Sequence, residues 1–169
     1  EKGQDTVVIH NEEVAAHRNF TISFDASKYS GADKKQLFIA RLDDRQKPRY
    51  SKTFKRDGSF TTRTRTLGTY TLARDTVAPE IKPRNFKEKQ WLSNYSYLSL
   101  KISDDLSGVN SYNATLNGEW ILMEYEPKTQ TLTYNFDDKI LDKTQCDLKV
   151  VVTDNVGNSS TFKSTFFRK

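Results

Sequence analysis

The sequence predicts an all-β chain that folds as two tandem β-sandwich domains. Apolar residues recur with a period of two through most of the 169 residues, which indicates half-buried strands. Turn-forming pairs follow the alternating runs, and Asn117-Gly118 is the clearest of them. A connector with two prolines, "ARDTVAPEIKP" at 73–83, separates the runs into two groups. We therefore place the domains at residues 1–78 and 79–169.

The first half forms a smaller sandwich of six predicted strands. Phe20, Ile22 and Phe24 alternate with polar residues in "NFTISFD", and "QLFIARL" is typical of a more fully buried strand. The best helix candidate, "NEEVAAHRN" at 11–19, is too short to be stable alone. Little or no helix is therefore expected. The strands are predicted near residues 6–10, 19–25, 36–42, 49–55, 59–66 and 68–74.

The second half contains seven predicted strands in about 90 residues, which is typical of an immunoglobulin-like sandwich. Asn117-Gly118 predicts a two-residue type I′ hairpin, because both residue types tolerate positive φ. The fold class is therefore all-β, with two tandem immunoglobulin-like antiparallel β-sandwich domains. The strands are predicted near residues 79–83, 96–103, 111–116, 119–125, 131–137, 146–153 and 159–167.

Several classes of protein are disfavoured by the sequence. Cys146 is the one cysteine, so it forms no internal disulfide. It shares one face of an alternating strand with Leu148, Val150 and Val152, which predicts a small core residue. No stretch approaches the roughly 20 apolar residues that a membrane-spanning helix needs. The chain begins at Glu1 rather than Met, so we expect a fragment or a processed form. No cofactor is expected, and a Ser-His-Asp triad is disfavoured because no serine lies in a nucleophile-elbow motif.

The excess of positive over negative charge lies entirely in the first half of the chain. Residues 1–78 carry 15 basic and 10 acidic residues, while 79–169 carry 12 of each. The excess is concentrated in residues 41–74, with 10 basic and 3 acidic residues. A solvated outer face of a sheet is the simplest interpretation, and no nucleic-acid-binding motif accompanies the charge. The alternative is a site for an anionic polymer, with candidates Lys52, Lys55, Arg56, Arg63 and Arg65, the last two expected on one sheet face.

A cluster of polar residues follows two predicted strands in the second half. If the strand ends near residues 103 and 153 lie side by side, then Asp104, Asp105, Asp154 and Asn155 are candidate calcium ligands. An EF-hand is excluded, because the third and fifth positions counted from Asp104 are not oxygen ligands. Closure of the turns, by acceptance of local backbone N–H groups, is the favoured interpretation.

Exposed aromatic residues offer a second kind of candidate, since flat aromatic faces stack on sugar rings. Trp120 follows the predicted hairpin turn directly and is the strongest of these. Aromatic residues on strands more often lie in the core or in cross-strand pairs. The others are Trp91, Tyr95, Tyr97, Tyr112, Tyr125 and Tyr134.

Two motifs together resemble a known family. "LGTYTLARDTVAPEI" precedes a sandwich with "DDLSGV" and "VTDNVGN", and their union resembles the C-terminal region of lysostaphin-type (LytM-like) zinc peptidases of Bacteroidetes. The Asp-x-x-Ser-Gly-Val and V-T-D-N-x-G-N pairing also resembles many bacterial immunoglobulin-like modules. The resemblance implies an exported protein of the periplasm or cell envelope, whose parent cuts peptidoglycan.

The zinc ligands implied by that family are missing. Its zinc is held by His-x-x-x-Asp and His-x-His, whereas this chain has two histidines, His10 and His17, and neither begins such a motif. Asp75-Thr76-Val77 resembles the O-glycosylation site of exported Bacteroidetes proteins, which makes Thr76 a candidate for modification.

Two function classes stay open. The favoured one is a non-catalytic pair of modules that positions a neighbouring domain of the same parent protein or serves adhesion. The alternative is a binding module for peptidoglycan or another envelope polysaccharide. A complete enzyme is the least favoured.

Overall fold

The computed structural model describes residues 5–9, 16–138 and 143–169. The chain divides into two compact units, Glu1–Val77 and Ala78–Lys169. The regular elements of the first unit are β1 (Thr6–Ile9), β2 (Phe20–Asp25), α1 (Gly31–Gln36), β3 (Leu37–Leu42), β4 (Pro48–Tyr50), β5 (Phe54–Arg56), β6 (Ser59–Thr64) and β7 (Gly68–Arg74).

The first unit is a sandwich of two antiparallel sheets, with strand orders β1-β7-β3-β4 and β2-β6-β5. Ile22 and Phe24 of β2 are buried and alternate with exposed residues, as the sequence predicts. They pack with Phe60 of the same sheet and with Ile39 and Leu72 of the other. One hydrophobic core therefore lies between the two sheets.

Tyr70 closes the corner between β6 and β7. Its ring is 1% exposed, and its hydroxyl donates a hydrogen bond to the carbonyl of Thr66 at 2.6 Å. A tyrosine that bonds back to the backbone a few residues upstream is a hallmark of immunoglobulin-like sandwiches. The strand "LGTYTLAR" is thus fixed at its start by a buried side chain.

The second unit contains eight strands in its described part. They are β8 (Glu80–Pro83), β9 (Tyr97–Ser103), β10 (Val109–Leu116), β11 (Glu119–Ile121), β12 (Glu124–Glu126), β13 (Thr131–Asn135), β14 (Gln145–Asp154) and β15 (Ser159–Phe167).

The strand order of the second unit is that of an immunoglobulin-like domain. One sheet has the order β12-β13-β9-β8 and the other β11-β10-β14-β15, with antiparallel pairing throughout. If β8, β9, β10, β12, β13, β14 and β15 are equated with strands A to G, these sheets are ABED and CFG with one added strand, β11. The predicted fold class is therefore confirmed.

The core of the second unit contains the apolar face that the sequence predicts for β14. Cys146, Leu148, Val150 and Val152 are all buried. They face residues of the opposite sheet, such as Leu100. The prediction of a core cysteine is confirmed, and the fold of this unit is held by apolar packing.

The hairpin at Asn117-Gly118 is also confirmed. Leu116 pairs with Glu119 across it, and φ is +52° at Asn117 and +85° at Gly118. Positive φ at both central positions is the requirement of a type I′ turn.

Two predicted strands, 49–55 and 119–125, were wrong as single elements. Each is two short strands, because the chain crosses there from one sheet to the other. In the first, the Thr53 hydroxyl accepts the N–H of Ile39 at 2.9 Å and donates to the carbonyl of Ser51 at 2.7 Å, in place of a backbone ladder. In the second, Met123 turns into the core and is 2% exposed.

The helix α1 was not predicted. It spans six residues between β2 and β3, which is too short for a hydrophobic period to be visible. Most of the helix candidate at 11–19 lies outside the described residues, and residues 16–19 are not helical.

Candidate functional site

The carboxylate of Asp104 closes the loop that follows β9. Its Oδ1 accepts the N–H groups of Leu106 at 3.1 Å and Gly108 at 2.6 Å. Gly108 has φ of +82°, a conformation that glycine adopts without steric cost. Asp105 is exposed.

The carboxylate of Asp154 has the same role in the turn between β14 and β15. Its Oδ1 accepts the N–H groups of Val156, Gly157 and Asn158 at 2.9, 2.7 and 2.8 Å. Its Oδ2 accepts the side-chain amide of Asn158 at 2.7 Å. One buried carboxylate therefore serves three backbone donors that the sheet leaves without partners.

The two loops adjoin, since Val109 pairs with Asp154. Carboxylate oxygens of Asp104 and Asp154 lie within 4.8 Å of each other. The side-chain amide of Asn155 serves the loop, because its Nδ2 donates to the carbonyls of Ser107 at 2.9 Å and Gly108 at 3.1 Å. These contacts favour turn closure, and calcium binding here stays a prediction.

The outer face of the β2-β6-β5 sheet carries an exposed aromatic ring among cations. Phe54 is 49% exposed and pairs with Thr61. The Nζ of Lys52 lies 5.7 Å from the centroid of its ring. Arg56 and Arg63 share this outer face, because they alternate with residues that point inward. We call Lys52, Phe54, Arg56 and Arg63 the Phe54 face.

A shallow depression of about 420 Å³ lies on the Phe54 face. Its lining includes the ring of Phe54 and the hydroxyl residues Thr21 and Thr61. Cations, hydroxyls and one aromatic ring are the groups that bind an anionic sugar polymer, through ion pairs, hydrogen bonds and stacking.

Two of the predicted basic candidates are engaged by other groups of the chain, although Lys55 also lines this depression. The Nζ of Lys55 donates to the carbonyl of Lys35 and lies 5.6 Å from the centroid of Phe60, a core residue. Arg65 lies beyond the end of β6, where its Nε donates to Asn19 Oδ1 at 3.0 Å. Because β6 ends at Thr64, Arg65 lies outside the strand, and the expectation that Arg63 and Arg65 share one sheet face stays a prediction.

Trp120 lies on the outer face of the second unit's β11-β10-β14-β15 sheet and is 63% exposed. It pairs with Thr115, which pairs with Lys149, which pairs with Lys163. These four residues form one row across four strands, and we call them the Trp120 row.

The other aromatic candidates are mostly packed against neighbours. Trp91 lies 5.3 Å from Phe167 between ring centroids. Tyr112 and Tyr125 lie 5.9 Å apart, and burial raises the pKa of the Tyr125 phenol. Tyr134 is 1% exposed.

Tyr97 is 49% exposed on the outer face of the β12-β13-β9-β8 sheet, and Trp91 is 54% exposed despite its contact with Phe167. It lines a depression of about 450 Å³ together with Arg84 and Glu126. The guanidinium of Arg84 donates to Thr131 Oγ1 at 2.6 Å, so the cation is already engaged within the sheet.

Cys146, His10 and Thr76 are the residues that the sequence offers as candidates for catalysis or modification. Burial raises the pKa of the Cys146 thiol above its usual value of 9.0, which disfavours the reactive thiolate. His10 lies outside the described residues. Thr76 is exposed, and the carboxylate beside it accepts the N–H of Val77 at 3.0 Å, so Asp75 shapes the turn. Glycosylation of Thr76 stays a prediction.

Among the described residues, no helix has the length and apolar character that crossing a membrane requires.

Sequence reasoning missed Phe54, Lys149 and Lys163. Phe54 lies two residues from Lys52 and two from Arg56 in "SKTFKRD". An apolar residue that alternates in step with charged, exposed positions could have identified it. Lys149 and Lys163 are neighbours only because of the register between β14 and β15. The sequence of each strand taken alone does not give that register.

Comparison with known proteins gives one partial family match. The family model of the Zu5-like domain matches residues 2–75, which is fewer than half of the 169 residues. No curated relative matches the sequence.

Three of the solved structures similar to this chain share 10–12% of its sequence. The fibronectin(III)-like modules of CbhA from Clostridium thermocellum are 12% identical, with a TM-score of 0.43 over 98% of this chain and 94% of that chain. The expansin of Clavibacter michiganensis is 12% identical, with a TM-score of 0.38 over 85% and 75%. The tandem Ig repeats of Dlar are 10% identical, with a TM-score of 0.36 over 98% and 97%. These TM-scores carry no functional weight, and the immunoglobulin-like assignment rests on strand order.

Proposed function

We propose that this chain is a non-catalytic accessory region of an exported bacterial envelope protein. Its role is to position a neighbouring domain or to serve adhesion at the cell surface, through domains at 1–78 and 79–169. The observation that carries the proposal is that two consecutive sandwiches each contain their own filled hydrophobic core. Such modules hold a neighbouring domain at a distance and offer a surface for adhesion.

A peptidoglycan metallopeptidase is the neighbour that we propose. The supporting evidence is the resemblance of the 67–81 segment and of the two Asp-containing turns to the region behind LytM-like catalytic domains. In this fold the same residues form the Tyr70 corner and the turns closed by Asp104 and Asp154. The resemblance therefore concerns the scaffold that a peptidase would carry.

The reading frame that encodes Glu1 tests this neighbour. We expect a His-x-x-x-Asp and a downstream His-x-His on its 5′ side, and envelope fractions of the source cells should contain the protein. A frame without these motifs would refute the peptidase parent. Recovery in the cytosolic fraction would refute export.

Binding of an anionic envelope polysaccharide is the second candidate function, and the Phe54 face favours it. The exposed ring of Phe54 lies between three cations on an open depression. A solvated sheet face requires charged residues but no exposed aromatic ring at its centre. The ring adds stacking to charge, and stacking persists at salt concentrations that screen charge.

Retention on purified sacculi tests this second candidate. At about 150 mM salt, where the Debye length is about 8 Å, we expect wild-type chain to be retained. Phe54→Ala and the double reversal Arg56→Glu/Arg63→Glu should each release most of it. Lys101→Glu/Lys128→Glu, an equal charge change on exposed residues of the second unit, is the matched control and should leave retention unchanged.

Equal loss in the matched control would attribute retention to net charge and would refute a site. Absence of wild-type retention at this salt concentration would leave positioning as the function of the first unit and would refute the Phe54 face as a binding surface.

A further inference from the structure

In the described part of the chain, three pairs of like-charged residues lie directly opposite each other in the sheets. They are Arg41 with Arg49, Lys82 with Lys101, and Lys149 with Lys163. Like charges at directly opposed positions destabilise a sheet, because their Cβ atoms lie only about 5 Å apart. A nearby counter-ion offsets that cost.

Two of the three pairs have a counter-ion within the chain. The guanidinium of Arg49 lies 2.8 Å from Asp43 Oδ2. The Nζ of Lys82 lies 2.6 Å from Glu80 Oε1. In both cases the carboxylate comes from a residue close in sequence, so the compensation forms with the strand itself.

The third pair has no such partner among the described residues. Lys149 and Lys163 are both exposed, and none of the described ion pairs includes either lysine. Asp147 is the acidic residue nearest in register on the same face. Its Oδ1 accepts the hydroxyl of Thr165 at 2.7 Å, and none of the described ion pairs joins it to either lysine.

The uncompensated pair continues a row that begins at Trp120. Thr115 separates Trp120 from Lys149, so the indole and the first lysine stand two strand spacings apart, about 10 Å. A depression of about 330 Å³ lies beside the lysines, and Thr115, Thr165 and the acidic residue Asp147 also line it. An exposed aromatic ring, hydroxyls and two cations thus lie along one line.

We propose that the Trp120 row binds an acidic polysaccharide. A sugar ring stacks on the indole of Trp120, and a carboxylate or sulfate of a neighbouring sugar lies between the ammonium groups of Lys149 and Lys163. A neutral glycan would leave the lysine repulsion in place, and an inorganic anion would leave Trp120 unused. An acidic polysaccharide uses both.

This site does not depend on the Phe54 face, since all its residues lie in the second unit. It has a consequence for stability that a merely solvated surface lacks. Replacing one lysine relieves repulsion in the free protein and at the same time removes a ligand contact. Stability and affinity should therefore change in opposite directions, which is a known cost of functional sites.

Fluorescence of Trp120 provides the readout. The chain has two tryptophans, and Trp91→Phe preserves an aromatic ring against Phe167 while leaving Trp120 as the sole reporter. At neutral pH and about 150 mM salt, polygalacturonate and dextran sulfate should each shift the Trp120 emission and raise the melting temperature. Dextran and sodium sulfate at matched ionic strength should leave the emission unchanged. Calorimetric titration of the wild-type chain should show binding of the two acidic polymers and no binding of dextran or sodium sulfate. The same titration of Trp120→Ala should show loss of binding to the acidic polymers.

Lys163→Thr tests the opposed changes. Its melting temperature without polymer should rise by about 2 °C, and its affinity for polygalacturonate should fall about tenfold, the loss expected for one charge-assisted contact. Lys101→Thr changes a pair already compensated by Glu80, so it should alter neither quantity in this way. Arg63→Glu on the Phe54 face should leave the Trp120 response unchanged.

A response to dextran as strong as that to polygalacturonate would refute a role for the lysines. Undiminished affinity of Lys163→Thr, or no response to either acidic polymer, would refute the site. A change in Trp120 emission that follows protein concentration instead of polymer would assign the row to contact with a second copy of the chain and would also overturn the proposal.

Discussion

Removal of the Tyr70 hydroxyl tests the corner that anchors β7. Tyr70→Phe keeps the buried ring and deletes the bond to the carbonyl of Thr66 at 2.6 Å. A buried hydrogen bond contributes about 1 kcal/mol, and its unpaired partner adds to the cost. Thr66 is exposed, so water should replace the lost donor in part, and we expect a total loss of about 1.5 kcal/mol.

That loss corresponds to a fall of about 6–12 °C in the melting temperature of a unit of this size. Differential scanning calorimetry of the full chain measures it directly. Trp91 and Trp120 both belong to the second unit, so their fluorescence follows the unfolding of that unit and provides an internal reference.

Tyr50→Phe is the matched control. Its ring packs on Phe38 at 5.5 Å, and no described hydrogen bond involves its hydroxyl, so the change should stay within about 0.5 kcal/mol. Equal shifts for both variants, or a shift below about 2 °C for Tyr70→Phe, would refute the corner as a stabilising feature of the first unit.

Asp154→Ala should lower the free energy of unfolding by about 2–3 kcal/mol, because three turn N–H groups lose their acceptor while repulsion with Asp104 is relieved. Asp105→Ala should cost less than about 0.5 kcal/mol, and urea unfolding followed by tryptophan fluorescence measures both. Calcium at millimolar concentration should leave the wild-type melting temperature unchanged; an increase that disappears in Asp154→Ala would establish a calcium site. Because burial raises the pKa of Cys146 above 9.0, the unfolded thiol loses its proton first, so stability should fall as pH rises above about 9, and less so in Cys146→Ala. Gly118→Val should cost about 1–3 kcal/mol by the same urea assay, since φ there is +85°.

The sequence predicted the strands of the second unit well, because their apolar faces alternate and their turns have distinctive residues. "QCDLKVVVTD" alternates over its whole length, and Asn117-Gly118 requires positive φ at both positions. Such signals are local, so they survive in a single sequence. The strand β15 has the predicted bounds for the same reason.

Local sequence patterns did not show to which of the two sheets each strand belongs. The predicted strands 49–55 and 119–125 each cross between sheets, and alternation is the same on either side of a crossing. Thr53 marks the first crossing through its hydroxyl, but a threonine in a strand is unremarkable by its type alone.

The candidate surfaces depended on register and on where strands end. Arg63 and Arg65 satisfy the i, i+2 rule, yet β6 ends at Thr64. Lys149 and Lys163 meet because a short turn fixes β14 against β15, with Thr153 paired to Ser159. Pairwise facts of this kind follow from the three-dimensional fold.

The accessory role is tested most directly by incubating the purified chain with peptidoglycan sacculi, with and without added zinc, and measuring soluble fragments by liquid chromatography. We expect no release above the buffer control under either condition, because the His-x-x-x-Asp and His-x-His ligand motifs are missing from the sequence. Zinc-dependent release of fragments that is lost in His17→Ala would contradict it.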